Sequence, residues 1–328
     1  MASSHSYAVQ LVRDRYGYLR PEQIRSRLHH SSFVNVAKRY MYYAVPKAAC
    51  TSMKTLINSI EGGPPIKILC GRMDETRRDM FIHERVNVAV PSLVDLDDAT
   101  QREVLHAPDF LRMTIVRNPY TRVLSAWNKV KLCQPGSEEQ YLAIKGKIPA
   151  FTGKDLISLS EFVDYLATQD LRTCDAHWSY QTTHLFLDVL DFNLIGKTEN
   201  MADVLQQFAQ RLGQPEIAAE RRNASHASSG AHYNAEIAKR VHELYAVDFE
   251  RLGYRPDDWP VGDPAAARVV PEQKYNDEIV ERNLILSELY KEVFDLRDKM
   301  AKVDRLHLTG MIDALTTTRG TLRRILGR

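Results

Sequence analysis

The segment PKAACTSMK, residues 46–54, gathers side chains that can hold an anion: Lys47 offers an ammonium, and Thr51 and Ser52 offer hydroxyls. Ala48 and Ala49 are small enough to let a ligand reach the backbone. Before it stands YMYYAV (40–45), aromatic and β-branched enough for a buried strand, and after it SMKTLINSI, a helical stretch stopped by GGPP. A turn from a strand into a helix aims backbone N–H groups at one point, where the helix dipole adds partial positive charge, so the amides of Ala48, Ala49 and Cys50 join the side chains. A plain capped helix with a surface lysine shares this spacing, and the two alanines tip the reading toward a ligand site. Arg117 stands 70 positions after Lys47, in a second copy of the device: LRMTIV (111–116), the loop RNPYT, then the helix VLSAWNKVK, with Pro119 suited to its first turn. Arg117 at the strand end and Ser125 on the helix can meet at one anion, although an arginine so placed also serves as a surface ion pair. Two such junctions in one sheet suit a ligand with two separated anionic ends.

A nucleoside-triphosphate loop needs GxxxxGK[ST]. Here the lysine comes first and the glycines are missing. The four cysteines, Cys50, Cys70, Cys133 and Cys174, lack the CxxC spacing of a zinc site and are too few for a disulfide scaffold, so they read as free thiols. No metal site is expected.

The elements that must carry these residues follow from periodicity. FIHERVNVAV (81–90) has strand character, SLVDLDDATQREVLH reads as a helix capped by Asp or Ser, and FNLIGK (192–197) is a strand leading into the amphipathic TENMADVLQQFAQRLG. Strands alternating with helices imply an α/β fold, a parallel sheet flanked by helices on both faces. Residues 134–160 have the Gly, Pro and Lys content of a long excursion, of the kind that often borders a substrate cleft. EIAKRVHELYAVDFERLGY reads as one helix ended by Gly253. Beyond it, Leu286, Leu289, Val293, Leu296, Met300 and Val303 keep a three-four spacing, either a helix folded back on its own domain or a short dimerising coiled coil.

The chain has 328 residues, 44% hydrophobic and 26% charged, which excludes disordered and fibrous classes. A net charge of +2 gives no general case for nucleic-acid binding. No apolar run approaches a membrane span, and the first residues, MASSHSYAVQLVRDRYGYLR, are too polar for a signal peptide.

The two junctions carry a resemblance. VPKAACTSMK resembles the 5'-phosphosulfate loop, and IVRNPYTRVLSAW the 3'-phosphate motif, of sulfotransferases that use 3'-phosphoadenosine-5'-phosphosulfate (PAPS). The likeness is to the carbohydrate sulfotransferases of the family that includes the HNK-1, chondroitin 4-O- and dermatan 4-O-sulfotransferases. CDAHWSYQ is similar to that family's His-Trp segment, and FNLIGKTENM and NAS followed by YAVDFERLGY continue the likeness, which covers about residues 38–255. The resemblance implies a P-loop-like fold, PAPS as co-substrate without a metal, and a saccharide or glycolipid acceptor. Lys47 would be the leaving-group cation. Thr51, Ser52 and the amides of Ala48, Ala49 and Cys50 would hold the 5' end, and Arg117 and Ser125 the 3'-phosphate. His83 is similar in placement to the catalytic histidine of related glycan sulfotransferases, and a neutral imidazole suits a base near pH 7; neighbouring Glu84 is the next candidate. His177 would orient the acceptor. Trp178 and Tyr180 would stack on a sugar ring or else fill the core.

The expected organisation is an N-terminal arm (1–37), a PAPS-binding domain (38–262) and a helical tail (263–328) that offers a homodimer contact. The missing membrane anchor and lumenal cysteines set it apart from the family and lead to the expectation of a cytoplasmic enzyme, its arginine-rich RGTLRRILGR end either solvated or touching an anionic membrane surface peripherally. Two other functions fit the junctions less well: a small-molecule kinase with a degenerate phosphate loop, and a non-catalytic nucleotide-binding scaffold.

Overall fold

The computed structural model describes residues 6–63, 82–83, 85, 88–131, 157–214, 217 and 232–261. All belong to one compact unit, Met1–Lys274. The heptad tail, RGTLRRILGR, NAS (223–225), Glu84 and nearly all of the 134–160 excursion lie outside the described residues.

Strands β1 (Ser32–Asn35), β2 (Tyr40–Tyr43), β3 (Leu111–Val116) and β4 (Leu194–Lys197) form one sheet in that order. β2, β3 and β4 run parallel, with Tyr43 beside Thr114 and Val116 beside Lys197. The sheet is nevertheless mixed, because β1 pairs antiparallel with β2, Phe33 facing Tyr42. The tight turn at 36–39, with Arg39 in the left-handed region, permits only that pairing. A parallel neighbour would need a crossover. Residues 7–31, expected as an arm or short surface helices, fold into α1 (Tyr7–Arg15) and α2 (Pro21–Ser31), which are not confined to the surface but bury Ala8, Val9, Val12, Ile24 and Leu28.

After β2 come α3 (Cys50–Ile60) and α4 (Asp98–His106), the latter capped by Asp97, whose carboxylate accepts from the amides of Ala99 and Thr100. α5 (Pro119–Lys131) follows β3, and α6 (Leu159–Ala167) opens with Ser158 and Glu161 bonding reciprocally. The short α7 (Gln181–His184) precedes β4, and α8 (Met201–Arg211) follows it. The expected final helix is two, α9 (Ala235–Leu244) and α10 (Ala246–Leu252), parted at Tyr245. That side chain is fully buried and its hydroxyl donates to the Trp178 carbonyl at 2.6 Å, which holds its backbone out of helical geometry. Gly253 ends α10 at φ +63, the left-handed cap its place predicts.

Alternation along the strands sorts the core. Tyr40, Tyr42 and Ala44 share one face with Met113 and Ile115, packed against Met53 and Ile57 of α3 and Val204, Leu205 and Phe208 of α8. Tyr43 points the other way, onto His184 and Phe192. The expected strand at 81–90 is absent among the described residues, which make turns and bends. Arg85 bonds the carbonyls of Ser32 and Val90 that a ladder would have used, and the main-chain bond from Val34 N–H to Pro91 O at 3.0 Å joins the residue after the segment to β1.

Candidate functional site

β2 and β3 are hydrogen-bonded parallel neighbours, so the chain leaves both at the same edge of the sheet and the two junctions stand side by side. In the first, Lys47 has φ +68 and Ala49 φ +55. Left-handed backbone costs a non-glycine residue on the order of 1–2 kcal/mol, and alternating it with right-handed residues turns successive N–H groups inward to a concave anion seat. Ala49 is the cap of α3 and has no side-chain oxygen to satisfy the first amides, while Ala48 is fully buried beneath. Thr51 and Ser52 are buried at the start of α3. Among the described residues no hydrogen bond or ion pair reaches the Lys47 ammonium. Burial pushes it down to about 7, with Lys129, Arg117 and Arg122 adding repulsion and Cys50 opposing them. Among the described residues the seat is short of negative charge.

In the second junction, Asn118 accepts the Tyr120 amide to start α5, and Gln181 bonds both the N–H and the carbonyl of Arg117, at 2.9 and 2.8 Å. The Arg117 guanidinium donates to Thr121 Oγ1 at 2.9 Å and to the Lys47 carbonyl at 3.2 Å, so it spans from one junction to the other. Ser125 is partly buried on α5.

His83 lies against the start of α3, Nε2 3.2 Å from Thr51 Oγ1 and Nδ1 3.2 Å from the buried Lys54 ammonium. Burial first, then Lys54, Lys129, His177 and Lys47, hold it well below the usual imidazole range, so its ring is neutral. His177 has Nδ1 2.7 Å from Asp175 Oδ1. Burial lowers it too, against the pull of Asp175 and helped by Lys129 and Lys47. Trp178 is 3% exposed and set edge-on to Phe162 and Tyr165, so it fills the core and has no face for a sugar. Tyr180 is partly exposed and edge-on to Tyr245. Glu84 lies outside the described residues.

Three residues escape sequence reasoning. Arg122, 1% exposed, donates to the carbonyls of Pro46, Ala176 and Ser179, clipping the first junction to the segment that carries His177. Its spacing with buried Ala126 and Val130 places it on the inner face of α5, the one signal available. Lys129, one turn after Ser125, acts on Lys47, His83 and His177 together. Asp248 is buried and caps α7, accepting from the Gln181 and Thr182 amides and the Thr182 hydroxyl.

Residues 30–255 match the family model described as "Sulfotransferase family". Carbohydrate sulfotransferase 14 of Danio rerio is 25% identical over 60% of this chain and 52% of its own length. Carbohydrate sulfotransferase 8 of Homo sapiens is 24% identical over 68% of this chain and 55% of its own, and human carbohydrate sulfotransferase 14 is 26% identical over 71% and 62%. The chain thus spans about half to three-fifths of the length of the curated relatives it matches. No solved structure matches. The similarity overturns the cytoplasmic expectation, because carbohydrate sulfotransferases of this kind are Golgi membrane enzymes. Among the described residues no helix is long and apolar enough to cross a membrane.

Proposed function

The chain belongs to the sulfotransferase family, and from that premise we propose that it moves a sulfuryl group from PAPS to a hydroxyl of a saccharide or glycolipid. One observation carries the reading: the Lys47 ammonium, beside Lys129, Arg117 and Arg122 and at an uncapped helix start, has no carboxylate partner among the described residues. A nucleotide with charge at both ends supplies what the seat lacks.

Bound there, PAPS would bring an activated sulfuryl group on a phosphosulfate anhydride. Lys47 would meet the negative charge that grows on the bridging oxygen as the sulfuryl group departs. Thr51, Ser52 and the amides of Ala49 and Cys50 would hold the 5' end, fixed by the left-handed turns at Lys47 and Ala49, whereas the Ala48 amide, expected to join them, donates to the Val45 carbonyl at 3.2 Å. Arg117 and Ser125 would take the 3'-phosphate, with Thr121 steadying the guanidinium. Lysine provides the charge that a metal provides in phosphoryl transfer, so this chemistry proceeds with a chelator present.

Calorimetry separates this reading from its rivals. Adenosine 3',5'-bisphosphate binds the wild-type protein without metal, and Lys47→Ala weakens it by about 2 kcal/mol, the scale of a charge-assisted contact. A preference for ATP with magnesium would make the protein a kinase instead, and unchanged function in Lys47→Ala would make it a scaffold.

A further inference from the structure

We propose that the acceptor's general base is His177, positioned by Asp175, and that His83 belongs to the donor side; the assignment rests on the sulfotransferase reading above. The ring lone pairs distinguish the two histidines. A carboxylate only accepts hydrogen bonds, so Asp175 Oδ1, 2.7 Å from His177 Nδ1, requires the proton on Nδ1 and leaves the Nε2 lone pair bare. The same Oδ1 accepts the His177 backbone N–H at 2.8 Å, so ring and main chain are fixed on one atom. For His83 the assignment inverts. The Lys54 ammonium only donates, so at 3.2 Å it consumes the Nδ1 lone pair. Nε2 then carries the proton and donates to Thr51 Oγ1, at the start of the donor helix. No lone pair of that ring is left for a hydroxyl.

Placement agrees. Arg122 bonds the carbonyls of Ala176 and Ser179 on either side of His177, and with the same guanidinium the Pro46 carbonyl next to Lys47. One buried cation therefore sets the distance between the base segment and the leaving-group lysine. The groups that bear on the His177 charge are Asp175, which favours the imidazolium, and Lys129 and Lys47, which with burial oppose it; the nearby His83 ring is neutral. The balance keeps His177 neutral at pH 7, the form a base needs.

In the step, the His177 Nε2 lone pair takes the acceptor hydroxyl's proton while that oxygen forms its bond to sulfur. The bond from sulfur to the bridging oxygen breaks, and its electron pair stays on the 5'-phosphate of the leaving nucleotide beside Lys47. The products are the sulfate ester, adenosine 3',5'-bisphosphate and a His177 imidazolium that returns its proton to solvent.

The test compares His177→Gln, His83→Gln, Asp175→Asn and Asp175→Glu. Transfer is followed from radiolabelled PAPS to unsulfated chondroitin, with sulfate release to water measured alongside; nucleotide affinity comes from calorimetry with adenosine 3',5'-bisphosphate, and ring tautomers from imidazole nitrogen NMR. His177→Gln loses about 10²–10⁴ in kcat, the usual worth of a general base, with nucleotide affinity kept within about twofold. Asp175→Asn lowers kcat and moves the acid limb of kcat/KM to lower pH, because the charge that favoured the imidazolium is gone; Asp175→Glu restores both in part. His83→Gln acts chiefly on nucleotide affinity. The wild-type rings show Nδ1–H at His177 and Nε2–H at His83. A His177 carrying its proton on Nε2, or a His177→Gln protein whose kcat stays within about threefold of wild type, overturns the proposal. Failure of the wild-type protein to bind the bisphosphate sinks the sulfotransferase reading instead, and the tautomers, read in the free protein, still decide the ring assignment.

Discussion

At the scale of single residues, Lys47 links charge to pH. Its ammonium is held down to about 7, so above that pH the free protein carries mostly the neutral amine. A polyanionic nucleotide binds the ammonium form and must draw a proton in with it. Affinity for adenosine 3',5'-bisphosphate therefore falls about tenfold per pH unit above 7. Between roughly pH 7.5 and 8.5 the nucleotide's phosphates hold constant charge, so the loss belongs to the protein, and calorimetry in buffers of different ionisation enthalpy registers proton uptake. Lys47→Arg, whose guanidinium does not titrate there, flattens the profile. A wild-type affinity level across that range would show that Lys47 is not the group that meets the anion. The places of Lys47, Thr51, Arg117 and Ser125 at the two junctions are legible in the sequence, because each follows a strand end in the chain and local spacing suffices to put it there as a candidate. His177 was legible as a candidate in DAHWSYQ, but its partnership with Asp175, two residues back, is a matter of side-chain direction that spacing leaves open.

At the scale of elements, the site is held by charges placed where sequence patterns expect apolar residues. Arg122 lies at a core-facing position of α5 and satisfies three carbonyls from two distant segments. Arg122→Met leaves those carbonyls buried without donors, at about 1–3 kcal/mol each before relaxation, so urea unfolding registers a loss of about 3–5 kcal/mol. Arg122→Lys recovers only part, since one ammonium lacks the planar fork that reaches all three. A midpoint for Arg122→Met equal to wild type would show that the clip is unimportant. Gly196 makes the complementary point. A Cβ there would overlap Val204 Cγ2 and stand 3.0 Å from Cγ1, so the glycine of FNLIGK lets α8 close onto β4. Gly196→Val costs about 1–3 kcal/mol by overpacking, and Val204→Ala in the same chain returns part of it, as a double-mutant cycle would measure. The strands β2 and β3 could be read from their aromatic and β-branched runs. The valines and isoleucine of 81–90 gave the same signal falsely, because Ile82 and Val90 are buried by turns and Arg85 takes the carbonyls a strand would need.

At the scale of the whole molecule, the N-terminal segment is structural to the site. The family match begins at residue 30, inside α2, so α1 and most of α2 lie outside the shared region, yet they pack as core. Ile24, Leu28, Phe33 and Val34 are fully buried, each worth about 1.5–3 kcal/mol, a sum comparable to the 5–15 kcal/mol that separates a folded domain from its unfolded state. The same segment reaches both halves of the site. Ser31 accepts the Ala44 amide at 2.7 Å where β2 leaves for Lys47, its hydroxyl meets His184, and Arg27 donates to the Thr183 carbonyl of α7. The polar run RSRLHHSS hid this, since Leu28 alone in it is apolar and the four residues of β1 are too short to show alternation. A chain that starts at Lys38 therefore loses more than an edge strand. It exposes Tyr42 and Met53, leaves the β2 edge open to other chains, and should aggregate without a cooperative thermal transition. Adding the missing 37 residues back as a separate peptide should not restore nucleotide binding at micromolar concentration, because α1 and α2 depend on the sheet for their buried faces. If the shortened chain melted cooperatively and bound adenosine 3',5'-bisphosphate as the full chain does, the sheet would be complete from β2 onward, and the hydrogen bonds from Ser31 and Arg27 would be incidental to the site.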